Sequence, residues 1–238
     1  MGRGIFITGT DTGVGKTFFS CGLAGLFRAN GLRVGVMKPA ETGCVEKDGQ
    51  LFPGDAWRLK AASGSVEPID RICPYRLPEP LAPSLAAERA GVKVDIDHLL
   101  AVCSEISAKH DVTLVEGAGG LMVPLAASFT FADFARVAKL PVVVVAANKL
   151  GVINHLLLTL EHACCTGLRT LGYVLNRTSV EITLAAQTNR EALSRMTGVP
   201  CWGELPFMSG SGFDNGESLE RFQNELDMGL IESAVELQ

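Results

Sequence analysis

The chain has 238 residues, of which 47% are hydrophobic and 20% are charged, and this composition excludes a disordered protein. Its formal net charge is -5, and acidic and basic residues are interspersed, which gives no electrostatic footprint for nucleic acid or an anionic membrane. We therefore expect small-molecule partners, and we expect residues 1–238 to form a single domain.

The sequence also predicts a cellular compartment. The N-terminus lacks the apolar segment and small-residue cleavage site of a signal peptide. The longest apolar stretch, Leu140 to Ala147, is shorter than the roughly 20 residues of a membrane-spanning helix. Seven cysteines occur without a C-x-x-C pair, which argues against a zinc site and against a disulfide framework. We expect a soluble, cytoplasmic protein with reduced thiols.

Short runs of aliphatic and β-branched residues recur along the chain without the alternation of a half-exposed strand. They are residues 5–8, 34–37, 113–115, 142–146 and 171–175. Such runs are typical of strands buried on both faces of a parallel sheet. Helical spacing of apolar residues lies between them, from Phe19 to Phe27 and from Ile153 to Leu160. The alternation predicts an α/β fold with a mostly parallel sheet and helices on both faces.

Three segments refine this prediction. Asn30 and Gly31 mark the end of the first helix, so that the first two strands and this helix form a βαβ unit. Residues 41–91 are rich in proline and charge, and we expect loops and short helices there, covering a site. The tail, residues 217–238, reads as one charged amphipathic helix.

Residues 9–17, Gly-Thr-Asp-Thr-Gly-Val-Gly-Lys-Thr, follow the first strand and open the first helix. This context is that of a nucleotide-binding loop, whose backbone N–H groups and helix N-terminus hold phosphates. Lys16 would reach the outer phosphates, and the Thr17 hydroxyl would ligate Mg²⁺. Five residues separate Gly9 from Gly15 instead of the four of the standard loop. The sequence therefore predicts an ATP site with a variant phosphate loop.

Two further charged residues follow predicted strands. Glu116 directly follows the strand 113–115 and precedes a glycine-rich run. This is the position expected of a Mg²⁺ ligand or of a residue that holds a water. Lys38 follows the strand 34–37 and would be a second cation beside Lys16. Two ammonium groups at one place indicate that negative charge accumulates there, as it does in phosphoryl transfer to an anionic acceptor.

The residues alone leave two other positions open. Asp55 begins a helical pattern and is either a helix N-cap, which the pattern favours, or a metal ligand. Leu150 to Asn154 lead into an apolar-faced helix, whose unpaired backbone N–H groups could bind a carboxylate. We interpret His155 as a solvent-exposed residue at the start of that helix.

Together these motifs resemble the dethiobiotin synthetase family of the biotin pathway. The matching segments are residues 9–17, 38–39, 115–120, 129–133, 149–151, 153–155 and 203–206, in order over nearly the whole chain. The resemblance implies a phosphate-loop NTPase fold and a homodimer that uses ATP, Mg²⁺ and CO₂. It also implies that the acceptor is 7,8-diaminopelargonic acid. One amine would form a carbamate, the carbamate would take the γ-phosphoryl group, and the second amine would close the ureido ring.

The resemblance assigns roles to individual residues. Lys16 and Lys38 would be catalytic, and Thr17, Asp55 and Glu116 would be Mg²⁺ ligands. Substrate contacts would come from Thr12, Lys38, Thr42 and, across the dimer, from Leu150, Gly151, Val152, Ile153 and Asn154. The nucleotide would be bound by Gly13, Val14, Gly15, Lys16, Thr17, Phe18, Asp55, Glu116, Gly117, Ala118, Gly119, Asn176, Arg177, Leu205, Pro206 and Phe207, of which Asn176 and Pro206 would border adenine.

The chain also departs from the family pattern. Gly13 stands where some members have an acid, and Arg177 stands where an acidic or small polar residue is expected.

Two rival classes of nucleotide-binding protein, among others, fit the sequence less well. Partitioning ATPases place a lysine early in the loop, where this chain has Asp11, and the tail lacks a basic amphipathic face. A GTP-binding switch is suggested by Asn148 and Lys149, but its guanine-binding aspartate would fall at Gly151. Both classes are disfavoured.

Overall fold

Strands and helices alternate along the chain, and the computed structural model describes residues 3–208 and 216–236. The strands of these residues are β1 (Arg3–Gly9), β2 (Val34–Met37), β3 (Ala40–Thr42), β4 (Val45–Lys47), β5 (Gln50–Phe52), β6 (Tyr75–Leu77), β7 (Val112–Glu116), β8 (Pro124–Ala126), β9 (Phe129–Thr130), β10 (Val142–Ala147), β11 (Thr170–Asn176) and β12 (Cys201–Leu205). The helices are α1 (Lys16–Ala29), α2 (Gly54–Ser63), α3 (Ile69–Ile72), α4 (Pro83–Arg89), α5 (Ile96–Lys109), α6 (Phe131–Val137), α7 (Val152–Cys165), α8 (Leu184–Met196), α9 (Gly216–Asn224) and α10 (Met228–Glu236).

The main sheet has six strands in the order β12-β11-β10-β1-β7-β2. Every neighbouring pair in it is parallel, so all six carboxyl ends lie at one edge. From β1 the chain builds one side of the sheet through β2 and β7, and then the other side through β10, β11 and β12. The loop after β1 therefore opens where the strand order reverses, which is where open α/β sheets bind ligands.

Apolar cores cover both faces of the sheet. Ile5 and Ile7 of β1 are fully buried in the core that includes α1 and α2. Phe6, between them, points to the other face, where its ring centroid lies 6.0 Å from that of Phe131 and 6.3 Å from that of Phe134. Because successive residues of a strand face opposite sides, a strand buried on both faces shows no alternation.

The predicted fold class is confirmed: helices cover both faces of a parallel sheet. The five predicted runs fall within β1, β2, β7, β10 and β11, and the two helical patterns fall within α1 and α7. Helix α1 ends at Ala29, with Asn30 as its C-cap, and Gly31 follows with a φ of 82°. No helix within the described ranges combines the length and the apolar character needed to cross a membrane.

The prediction for residues 41–91 was incomplete. Besides α2, α3 and α4, this segment contains strands β3 to β6. Strand β3 pairs in parallel with β6, and β4 pairs with β5 in an antiparallel hairpin. Each of these strands has three residues, which is too short for hydrophobic periodicity to reveal it.

The prediction of one helix in the tail was wrong. The chain breaks between α9 and α10, where Leu226 forms an isolated antiparallel bridge with Gly203 of β12. The Asp227 N–H donates to the Trp202 carbonyl at 2.7 Å, and the Leu226 side chain is only 8% exposed. Pairing with the edge of the sheet outweighs the continuation of a helix here. Residues 237–238 of the predicted helix lie outside the described residues.

We expect Gly203→Ala to destabilise this junction. A Cβ at position 203 would lie 2.2 Å from the Glu225 carbonyl oxygen, so the tail would have to move off β12. Overpacking of this kind costs about 1–3 kcal/mol, measurable by urea unfolding. Gly198→Ala is the matched control, because nothing lies within 4 Å of its added Cβ. Equal stability of the two variants would contradict the prediction.

Candidate functional site

A cavity of about 620 Å³ opens at the carboxyl edge of the sheet. It is lined by residues of the phosphate loop, of the segments after β2 and β7, of α2 and of the turn before α4. These include Thr12, Gly13, Gly15, Lys16, Thr17, Phe18, Lys38, Thr42, Asp55, Ala118 and Gly119. A second cavity of about 670 Å³, lined by Arg3, Arg136 and Lys139 among others, lies at the opposite edge and contains none of the predicted site residues.

The phosphate loop connects β1 to α1 and is anchored by a side chain at the end of β11. Gly13 and Gly15 have φ values of 75° and 96°, in the left-handed region that favours glycine. The Asn176 side-chain amide donates to the Val14 carbonyl at 2.9 Å. A Cβ at Gly15 would lie 2.1 Å from that amide nitrogen, so position 15 requires glycine for two reasons. No side chain caps α1, which leaves its first N–H groups available to phosphate oxygens.

The Lys16 side chain is held by the backbone of the phosphate loop. Its Nζ donates to the Asp11 carbonyl at 3.0 Å, and the side chain is buried. Burial, followed by the nearby charge of Lys38, lowers the pKa of the Lys16 ammonium to about 8. The charge is therefore unfavourable in the protein alone, and an anion beside it would stabilise it.

Lys38 lies between two carboxylates. Its Nζ is 2.5 Å from Glu116 Oε1 and 3.0 Å from Asp55 Oδ2, and the Thr17 hydroxyl donates to Glu116 Oε1 at 2.8 Å. Burial alone would lower the pKa of Lys38, but the charges of Glu116 and Asp55 outweigh it and raise that pKa. Burial likewise opposes ionisation of Asp55, but Lys38 outweighs it and lowers the pKa of that carboxyl. Lys38 and Asp55 therefore carry charge at neutral pH.

The donor set fits Mg²⁺ bound together with a nucleotide. Glu116 Oε2 is buried and has no hydrogen-bond partner among the described residues. The same residues contain no group of three or more His, Cys, Asp and Glu side chains suited to a metal. Mg²⁺ is usually held by one or two carboxylates and completes its shell with phosphate oxygens and water. Thr17, Asp55 and Glu116 supply hard oxygen donors of this kind.

Asp55 is not the N-cap that its sequence pattern favours. Helix α2 begins at Gly54, its N-cap is Pro53, and Asp55 is its second residue. The N–H groups of Asp55 and Ala56 donate instead to the two carboxylate oxygens of Glu41, at 2.9 and 3.0 Å. Sequence reasoning missed Glu41, because it lies outside α2 and 14 residues from Asp55.

The predicted substrate residues fall into two groups. Thr12 and Thr42 line the main cavity beside Lys16 and Lys38. Residues 150–154 do not line it. Gly151 is the N-cap of α7, with a φ of 96°, and Val152 contributes to a separate small cavity beside Asp11 and Thr12. Their predicted role across a dimer stays a prediction.

Several predicted nucleotide contacts, including Asn176 and Pro206 that would border adenine, also lie outside the main cavity. Asn176 ends β11 beneath the phosphate loop, the Arg177 N–H donates to the Leu205 carbonyl at 3.0 Å, and Pro206 and Phe207 follow β12. After β7, Gly117 packs against Phe6, whose Cζ would lie 2.8 Å from an added Cβ. The nucleotide role of these residues stays a prediction.

The Asn148 side chain, one of the two residues that suggest a GTP-binding switch, is bonded within the fold. The Asn148 amide donates to the Ala186 carbonyl at 2.9 Å and to Glu204 Oε1 at 2.8 Å, and its oxygen accepts from Asn189. Asn148 is thus part of a buried network that ties β10 to α8 and β12. His155 is exposed on α7, as interpreted from the sequence.

Comparison with known proteins gives two relationships. A family model described as an AAA domain matches residues 3–213. The chain is 46% identical over 195 residues to an ATP-dependent dethiobiotin synthetase of Anaeromyxobacter dehalogenans, covering 82% of this chain and 86% of that protein. It is 39% identical over 233 residues to that of Bacillus cereus, covering 98% and 95%.

A solved structure shares the fold at much lower identity. A putative plasmid partition protein of Borrelia burgdorferi, bound to AMPPNP, aligns with a TM-score of 0.61 at 13% identity, covering 98% of this chain and 99% of that chain. This likeness shows the phosphate-loop NTPase fold and nothing further.

Replacing either lysine by methionine should have different effects on the stability of the nucleotide-free protein. Lys38→Met leaves the Glu116 carboxylate, which is 1% exposed, without its cation, and breaking such a pair costs about 3–5 kcal/mol. Lys16→Met removes a buried charge that Lys38 repels, so stability should stay equal or rise. Urea unfolding at pH 7 without nucleotide or metal measures both. A similar loss in the two variants would refute the charge arrangement described above.

Proposed function

Because the chain belongs to the family of ATP-dependent dethiobiotin synthetases, and is thus an ATP-dependent ligase, we propose that it makes dethiobiotin from 7,8-diaminopelargonic acid and CO₂. ADP and phosphate would be the other products. The observation that supports the choice of acceptor is Lys38, a second buried ammonium in the cavity of the phosphate-loop lysine. A carbamate formed from an amine and CO₂ is an anion and calls for such a group.

The proposed reaction has three steps. One amine attacks CO₂, forming an N–C bond and losing a proton to solvent. The resulting carbamate oxygen attacks the γ-phosphorus, and ADP leaves, which gives a carbamic-phosphoric anhydride. The second amine then attacks the carbamate carbon and loses a proton to the departing phosphate or to solvent, phosphate leaves with the C–O bond electrons, and the ureido ring closes.

Lys38 acts in this scheme as a fixed positive charge. Two carboxylates hold its Nζ, and the resulting rise in its pKa keeps the ammonium protonated through the reaction. It therefore stabilises the attacking carbamate and the charge that develops during transfer, and it is not the base that deprotonates the amine. The Thr42 hydroxyl, in the same cavity, would bind the acceptor.

Lys16 and the start of α1 bind the phosphates. Burial and Lys38 make the Lys16 ammonium less favourable without an anion, so the outer phosphates of ATP would stabilise its charge. The uncapped N–H groups at the α1 N-terminus would donate to the same phosphates. Thr17, Asp55 and Glu116 would hold Mg²⁺, which supplies charge neutralisation of the phosphate oxygens when bound.

The long apolar acceptor needs a place for its carboxylate, and the start of α7 suits it. The Val152 N–H donates to Lys149 and the His155 N–H to Gly151, so the N–H groups of Ile153 and Asn154 between them are those that the first turn leaves unpaired. We place the carboxylate there from a partner subunit, in a homodimer, and adenine between Asn176 and Pro206. We also propose a cytoplasmic location, which fits seven cysteines that are all free thiols. Nucleic-acid and membrane partners are not part of the proposal.

The test is mass-spectrometric detection of dethiobiotin from purified protein with 7,8-diaminopelargonic acid, bicarbonate, Mg²⁺ and ATP, with ADP measured in parallel. We expect product and ADP in equal amounts, and no ADP above background without the diamine. ADP release that ignores the diamine would overturn the proposal and favour a regulatory ATPase.

We expect Lys16→Met to lower kcat/KM by about 10²-fold or more, the size of effect seen when one transition-state charge contact is lost. Steady-state ADP release at varied ATP concentration measures it. A rate close to that of the unsubstituted protein would show that the loop lysine does not contact the transferred phosphoryl group.

We expect Lys38→Met to abolish turnover while ADP binding changes by only a few-fold, because Lys38 is assigned to the acceptor side. Calorimetry with ADP reports nucleotide affinity and also the fraction of folded sites, which corrects for the lower stability of this variant. Retained kcat would remove Lys38 from the mechanism.

A further inference from the structure

We propose that Glu41 is a positioning residue that sets the place of Asp55, and thereby the Mg²⁺ affinity of the site. This inference rests on the proposed function only for the assignment of Asp55 as a metal ligand. Glu41 has no place in the motifs of the sequence, but the residue is only 8% exposed and lines the cavity of the site.

Glu41 does for α2 what a capping side chain does, from another element. The N-cap of α2 is Pro53, which has no side-chain hydrogen bond to offer. Both Glu41 oxygens are used, one by the Asp55 N–H and one by the Ala56 N–H. A carboxylate at this place also complements the positive end of the helix. The first turn of α2, which carries Asp55, is thus held by Glu41.

The capping arrangement leaves the Asp55 carboxylate for the site. An aspartate in a first turn can bond to the N–H groups of its own helix, but here Glu41 has taken them. Asp55 Oδ2 instead accepts from Lys38 Nζ at 3.0 Å. With both of its own oxygens bonded to backbone, Glu41 is a support for Asp55 and not a metal ligand itself.

Glu41 also fixes the distance between the two sides of the cavity. It lies in β3, three residues after Lys38, and β3 is held by parallel pairing with β6. The Lys38 N–H donates to the Ile72 carbonyl at 2.7 Å, which fixes the other end of this short segment. The bond from Glu41 to α2 therefore couples the position of Lys38 to that of Asp55. Beyond its first turn, α2 is anchored by Leu59, which is fully buried.

The test measures ADP affinity by calorimetry over a range of Mg²⁺ concentrations, so that it does not depend on turnover. We expect Glu41→Ala to raise the Mg²⁺ concentration needed for half-maximal tightening of ADP by roughly tenfold or more, the effect typical of losing a residue that supports a metal ligand. Affinity for ADP in EDTA should not change. Glu41→Gln, whose amide oxygen can accept one of the two bonds, should lie between.

Leu59→Ala is the matched control, because it weakens the packing of α2 without touching the bonds around Asp55. Both Glu41→Ala and Leu59→Ala should lower Tm, but only the former should shift the Mg²⁺ requirement. An unchanged requirement in Glu41→Ala, or an equal shift in both variants, would overturn the inference and leave Glu41 a structural cap. If the Mg²⁺ shift occurs while the unsubstituted protein makes no dethiobiotin, the proposed function fails and the positioning role stands.

Discussion

The carboxyl edge of the sheet is organised around one buried ammonium. The Lys38 side chain is 4% exposed, and a charge so far from water is tolerated only with paired and hydrogen-bonded counter-charges. The sheet provides the first of them through its register, because Met37 of β2 lies opposite Val115 of β7. The residue after Met37 is Lys38, and the residue after Val115 is Glu116. Their charged groups, Lys38 Nζ and Glu116 Oε1, lie 2.5 Å apart. Strand pairing alone thus brings the two charges together, and α2 supplies the second carboxylate.

Sequence reasoning succeeded where the signal is local. The phosphate loop lies within nine consecutive residues, Gly9 to Thr17, between a buried strand and a helix, and the structure has these elements as predicted. Lys38 and Glu116 could be found because each follows a strand, and parallel strands end at one edge. The family resemblance, built on the order of these motifs, is confirmed by 46% identity to a curated relative.

Reasoning from sequence failed where the partner is distant along the chain. The bond from Glu41 to Asp55 spans 14 residues, and that from Asn176 to Val14 spans 162. No periodicity or spacing rule links such positions, so the local pattern around Asp55 favours a helix N-cap, a role that the structure does not give it. The tail failed for the same reason: its apolar spacing is helical, but the break at Leu226 depends on the edge of β12. The fold itself does not separate a ligase from a partitioning ATPase, since a partition protein shares it at 13% identity.

With adenine placed as proposed, between Asn176 and Pro206, the contact between Asn176 and the phosphate loop limits how the nucleotide preference of this protein could be redesigned. The Asn176 amide supports the Val14 carbonyl and fills the space that a side chain at position 15 would need. Replacing Asn176 to alter base selection would also loosen the loop that holds the phosphates. The affinity for every nucleotide would then fall, whatever its base. Arg177 and Phe207 have no such side-chain tie to the loop among the described contacts, which makes them the better starting points for an engineered change of base.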